Sequence, residues 1–153
     1  MHNNPANQKC LVSTHRRGII KQEVMSREKA LGLSGDDVDL QINVQTGEGT
    51  YKTKEGKRQK FPSLGTRAWK LFWDAAWAAG DKVVLKSENH INALVCRLRR
   101  AFGDDIETQH FFITCREPVY SIRWNPRRSW RVIEALPAPA EEKKEQLVSP
   151  DEA

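Results

Sequence analysis

The stretch Ser87–Phe102, SENHINALVCRLRRAF, sets the reading of everything around it. Ile91, Leu94, Val95, Leu98 and Phe102 recur at steps of three and four, which places them on one face of a helix. Ser87, Glu88 and Asn89 supply N-cap residues. The other faces carry Asn89, Asn92, Arg97, Arg99 and Arg100, with no acid between Asn89 and Phe102. Such a helix has the shape and charge for the DNA major groove. A surface helix whose arginines are merely solvated accounts for this stretch equally well.

Downstream, Phe111–Thr114 (FFIT) and Val119–Trp124 (VYSIRW) read as paired strands joined by Cys115, Arg116, Glu117 and Pro118. Ser129–Ile133 adds a third strand, and Arg116, Arg123, Arg127, Arg128 and Arg131 concentrate positive charge there. Upstream, Leu64–Ala79 (LGTRAWKLFWDAAWAA) is the strongest helix signal, capped by Ser63 or Thr66 and ended by Gly80. Its Trp69, Leu71, Phe72, Trp73, Ala75, Ala76 and Trp77 cover more than one face, as a packed core helix requires. Lys82–Leu85 links the two helices. Asp39–Val44 alternates in strand period and turns through Thr46–Gly49 into a return strand at Thr50–Thr53. Lys52, Lys54, Lys57, Arg58 and Lys60 make that end basic, which suits a phosphate-contacting edge or a solvated loop.

Ile19, Ile20, Val24 and Leu31 have rough helical spacing, so a helix is expected over residues 16–31, stopped by Gly32. Residues 1–14 are polar and unpatterned and are expected to be disordered, as is the tail PAPAEEKKEQLVSPDEA. The expected organisation is therefore a tail with a helix (1–36), a folded domain (37–134) and an acidic tail (135–153). After residue 133 there are six acids and two bases, which leaves 23 bases against 14 acids, a net +9, in the first 133 residues. A basic body favours a polyanionic partner. Cys10, Cys96 and Cys115 form neither a disulfide framework nor a zinc pattern, and no apolar run spans a bilayer. A cytoplasmic protein with reduced thiols is expected.

Three pieces of the chain resemble the DNA-binding effector domain of OmpR/PhoB-type response regulators. Leu64, Trp69, Leu71, Phe72 and Ala75 leading into Gly80–Val84 resemble its first helix and Val-Val link. Ile91–Arg100 is similar to its recognition helix, with the pattern Arg97-Leu98-Arg99-Arg100. Ile113-Thr114-Cys115-Arg116 with Tyr120 resembles its wing. The likeness spans residues 37–124 and implies an α+β winged helix: a small N-terminal antiparallel sheet, a helical core and a C-terminal β-hairpin wing. Two departures stand out. Only Leu85–His90 separate Val84 from Ile91, where the family has a whole further helix, and Val24–Leu31 resembles the start of that helix, displaced. Glu117, Pro118 and Val119 replace the wing glycines. About 36 residues ahead of the domain are too few for a receiver domain.

The resemblance implies double-stranded DNA as partner, with RNA polymerase or another protein as a second partner, no membrane, and a homodimer for reading two half-sites. Asn89, Asn92 and Ala93 would face the bases, with Asn92 suited to adenine, although Asn89 and Asn92 equally suit helix capping. Arg97 and Arg100 would meet phosphate or guanine, Arg99 either DNA or an internal carboxylate, and Arg116 phosphate or the minor groove unless Glu117 or Asp104 holds it. No catalytic triad, metal-ligand set, cofactor motif or phosphate loop is present, so no catalytic or metal residues and no cofactor are expected. Two functions fit: a small stand-alone transcriptional regulator, or a protein-interaction module anchored by the five tryptophans.

Overall fold

Arg17 (φ 53°) and Gly18 (φ 82°) both lie in the left-handed region, the geometry of a two-residue hairpin turn. They fold the chain into strands β1 (Lys9–Arg16) and β2 (Ile19–Ser26), paired from Arg16↔Ile19 to Lys9↔Ser26. The computed structural model describes residues 8–85 and 90–136. After β2 come the one-turn helix α1 (Arg27–Leu31), β3 (Leu40–Asn43), β4 (Gly49–Lys52), β5 (Arg58–Lys60), α2 (Thr66–Trp77), β6 (Val83–Val84), α3 (Ile91–Ala101), β7 (Phe112–Cys115), β8 (Ser121–Trp124) and β9 (Trp130–Ala135).

The strands make two sheets, a six-stranded one ordered β2-β1-β9-β3-β4-β5 and a three-stranded one ordered β6-β8-β7. The large sheet is mixed, since β3 and β9 run parallel while its other pairs are antiparallel. Alternation sends its side chains to two sides. Leu40, Ile42, Tyr51, Trp130 and Val132 join α2, α3, β7 and β8 in the main core, whose centre holds the mutually packed rings of Phe72, Phe102, Phe111 and Trp124. Cys10, Val12, Met25 and Ile133 face the other way and bury Ala30 of α1.

This architecture overturns the expected winged helix. A helical core flanked by a small sheet and a wing would leave β1 and β9 without a place, yet here both are interior strands of a six-stranded mixed sheet. The helix expected over 16–31 is instead a hairpin and a single turn, because the Arg17–Gly18 reversal and the run of β1–β2 bonds prevail over a loose helical spacing. The segment 24–31 therefore does not supply the displaced helix: α1 packs on the opposite side of the sheet from α3. Residues 9–14, expected to be disordered, form strand β1. No domain boundary falls at residue 36, since β1 pairs with β9 from Cys10↔Ala135 to His15↔Trp130. The third strand after the β7–β8 hairpin exists but belongs to the large sheet, between β1 and β3.

Two polar residues buried in this sheet, His15 and Arg131, are hydrogen-bonded. His15, fully buried, accepts from Gly18 N–H at Nε2 (2.9 Å), so its Nδ1–H donates to Arg128 O (3.1 Å) and the ring stacks on Trp130. Arg131 reaches Asp37 through both guanidinium nitrogens (2.9 and 2.7 Å) and Gln41 Oε1 (3.0 Å), which holds the Asp37 carboxyl far below the usual range. Burial lowers the pKa of both His15 and His110, and Arg128 lowers that of His110 further. These depressed values imply a pH dependence. Unfolded, each ring takes up a proton near pH 6.5; folded, it resists protonation to lower pH. Stability should be constant above neutrality and fall as pH drops below 6.5, with a slope of up to about 1.4 kcal/mol per pH unit for each ring. Urea denaturation between pH 5 and 8 measures it, and a His15→Gln/His110→Gln variant should lose most of that slope.

Candidate nucleic-acid interface

Helix α3 is amphipathic in the way its spacing predicts. Leu94, Val95 and Leu98 are buried with Phe102 just beyond the helix, while Asn92, Ala93, Cys96, Arg97 and Arg100 are exposed along the opposite side. The helix starts after His90, which has a left-handed backbone (φ 68°) and no side-chain cap bond. Asn92 is therefore not the cap. Asn89 lies outside the described residues.

Arg99 falls one turn beyond Val95 and points inward. Its Nη1 donates to Phe112 O (2.7 Å) and its Nη2 to Thr114 Oγ1 (2.8 Å), with Asp104 Oδ2 at 3.8 Å. Only 5% of Arg99 is exposed, so among Asn92, Arg97, Arg99 and Arg100 it is the one withdrawn from the surface. Asp104, equally hidden, accepts backbone N–H bonds from His110 (2.7 Å) at Oδ1 and from Phe111 (2.9 Å) and Phe112 (3.3 Å) at Oδ2. Arg99 and Asp104 thus clamp the end of α3 to the start of β7. The helical parity of Arg99 with Val95 and Phe102 was a usable sequence signal for this inward placement; Asp104, inside a loop, gave none.

Arg116 sits in the β7–β8 connection at the other end of the exposed face. Its Nη2 donates to Asn92 Oδ1 (3.4 Å) and its guanidinium lies 4.5 Å from the Tyr120 ring centre. Neither Glu117 nor Asp104 pairs with it, and among the described residues Arg97 and Arg100 likewise have no carboxylate within ion-pair distance. Beyond the C-terminal end of α3 stands the basic β4–β5 hairpin, anchored where Tyr51 Oη donates to Ala101 O (3.4 Å) and Lys54 pairs with Asp105. The Lys54 ammonium holds the Asp105 carboxyl down at about 2. Lys52, Lys57 and Lys60 of the same hairpin remain exposed.

The site so assembled is a convex helix face bearing Asn92, Ala93, Arg97 and Arg100, with Arg116 at its N-terminal end and lysines beyond its C-terminal end. Chemically it can donate hydrogen bonds and positive charge to a polyanion. Among the described residues no group of three or more His, Cys, Asp or Glu side chains is arranged to hold a metal ion, and no helix is long and apolar enough to cross a membrane. All three thiols are free, Cys10 buried and Cys96 and Cys115 exposed. No protein-family model, no curated protein and no solved structure matches the chain.

Proposed function

We propose that the protein binds double-stranded DNA through the exposed face of α3, as a small cytoplasmic transcriptional regulator. The observation that carries this reading is that Arg97 and Arg100, beside Asn92 and Arg116, have no ion-pair partner among the described residues, on one convex helix with no acid on its outer side. In this reading Asn92 and Ala93 meet base edges, Arg97 and Arg100 meet phosphates or guanine, and Arg116 meets the backbone. Arg99 takes no part. Its role is to fix the helix against β7. Three unpaired thiols suit a reducing compartment.

The alternative, a protein-interaction module anchored on tryptophans, has less to stand on. Trp124 and Trp130 are completely buried, and Trp69, Trp73 and Trp77 are half-buried in a row of contacting rings along α2. RNA polymerase as a further partner has no surface feature in its favour.

Titration of random-sequence duplex DNA over a salt series tests the proposal. Binding should weaken steeply with salt. The Arg97→Ala/Arg100→Ala double variant should bind more weakly, with a log–log slope shallower by about 2, since each phosphate left without its arginine removes about 0.9 from the slope. Absence of binding at low salt, or binding indifferent to the two arginines, would sink the proposal.

A further inference from the structure

Strand β2 is an edge of the large sheet, bonded to β1 on one side and to nothing on the other among the described residues. Which of its backbone groups are free follows from the ladder. Arg27 N–H donates to Gln8 O (2.9 Å), one step past the Lys9↔Ser26 pair, and bonded and non-bonded pairs alternate in an antiparallel ladder. Ile19, Lys21, Glu23 and Met25 therefore bond to β1, while Ile20, Gln22 and Val24 aim their N–H and C=O groups outward. The edge is eight residues long, contains no proline and exposes Ile19 (62%) and Val24 (57%); of the usual protections it has only the charges of Lys21 and Glu23, which are opposite in sign.

Its sequence, IIKQEVMS, is complementary to itself when reversed about Gln22. We propose that β2 is a homodimer interface, in which two copies pair antiparallel about a two-fold axis at Gln22 and join their sheets edge to edge. In this register Ile20 lies opposite the partner's Val24, Lys21 opposite the partner's Glu23, and Ile19 opposite the partner's Met25. The backbone-bonded pairs are those of Ile20, Gln22 and Val24, the residues whose groups are free. Neighbouring registers with the same bonding parity set Lys21 against the partner's Lys21 or Glu23 against the partner's Glu23, and like charges directly opposite repel. A one-residue slip loses the parity altogether. Neither Lys21 nor Glu23 has an ion-pair partner within its own chain among the described residues, so both are available. The β2 edge lies apart from the α3 face, so dimerisation is independent of DNA binding.

Sedimentation equilibrium of the full chain over a concentration series tests the interface. The wild-type chain should dimerise. Lys21→Glu and Glu23→Lys should each weaken self-association about tenfold or more, because each sets two like-charge pairs face to face. Mixed in equal amounts, these two variants should form a heterodimer, since the reversed position of one meets the reversed position of the other. Gln22→Pro should also yield a monomer; it removes an outward N–H and no β1–β2 backbone bond, so far-ultraviolet circular dichroism should stay unchanged. A wild-type chain monomeric at every concentration, a dimer indifferent to the charge reversals, or folded variants that fail to associate on mixing would each overturn the proposal.

Discussion

Replacing Asp104 with alanine should cost about 3–5 kcal/mol of folding stability, a large part of what a domain of this size possesses. The carboxylate is buried and answers the N–H groups of His110, Phe111 and Phe112 while facing the Arg99 guanidinium. Alanine leaves those donors unanswered and an arginine charge without its counter-charge in a site that water does not reach. Asp104→Asn keeps one acceptor oxygen but turns an amide NH2 toward other donors, so it should recover only part of the loss. Arg99→Met should cost less than Asp104→Ala, because the carboxylate would still hold its backbone donors. Urea denaturation of the three variants gives the order directly. A cost below about 1 kcal/mol for Asp104→Ala would mean that the clamp does not contribute as its geometry implies.

Trp130→Ala should be comparably severe, about 3–5 kcal/mol. Trp130 lies on β9, is fully buried, and is the point where the large sheet grips α2: its Nε1–H donates to Ala76 O (3.0 Å) and its ring contacts Trp77 at 4.8 Å. His15 stacks on its other side at 5.6 Å. Removal opens a cavity between two layers that cannot collapse onto each other, since strands on both sides of β9 hold it in place. Trp130→Phe, which keeps most of the volume and loses the hydrogen bond, should cost roughly half as much or less. Thermal melting of the two variants beside the wild type separates packing from the bond to Ala76.

Much of the secondary structure is legible in the sequence because one side of each element is apolar. The alternation of Leu40 and Ile42 and the 91–102 pattern of α3 each report a single buried face, and the aromatic spacing of α2 reports a buried face flanked by half-buried tryptophans. The first two strands are not legible, and the reason is physical. β1 is covered on both faces, so alternation disappears, and two positions on one of those faces are the polar residues Ser13 and His15. His15 is interior because its ring nitrogens find backbone partners, a fact invisible in a hydropathy pattern. The turn that would have announced the hairpin is Arg17-Gly18, without the Asn or Asp that usually leads such a turn. At the candidate site, Arg97, Arg99 and Arg100 share one chemistry; the spacing of Arg99 from Val95 and Phe102 hints at its inward turn, while its partners Phe112 O and Thr114 Oγ1 lie on a distant strand that local spacing does not reveal.

The position of β9 has a consequence for how the chain reaches this state. The strand made last lies between β1 and β3, two strands made early, and its ladder with β1 joins residues from opposite ends of the chain. Until residue 135 is available, the β1–β2 hairpin and the β3–β5 meander have no shared neighbour and no common core. The topology therefore predicts that the sheet closes late, when β9 docks between them. Such long-range pairing gives a high contact order and a folding rate far below that of helical chains of the same length, since loop-closure entropy is lost before any contact repays it.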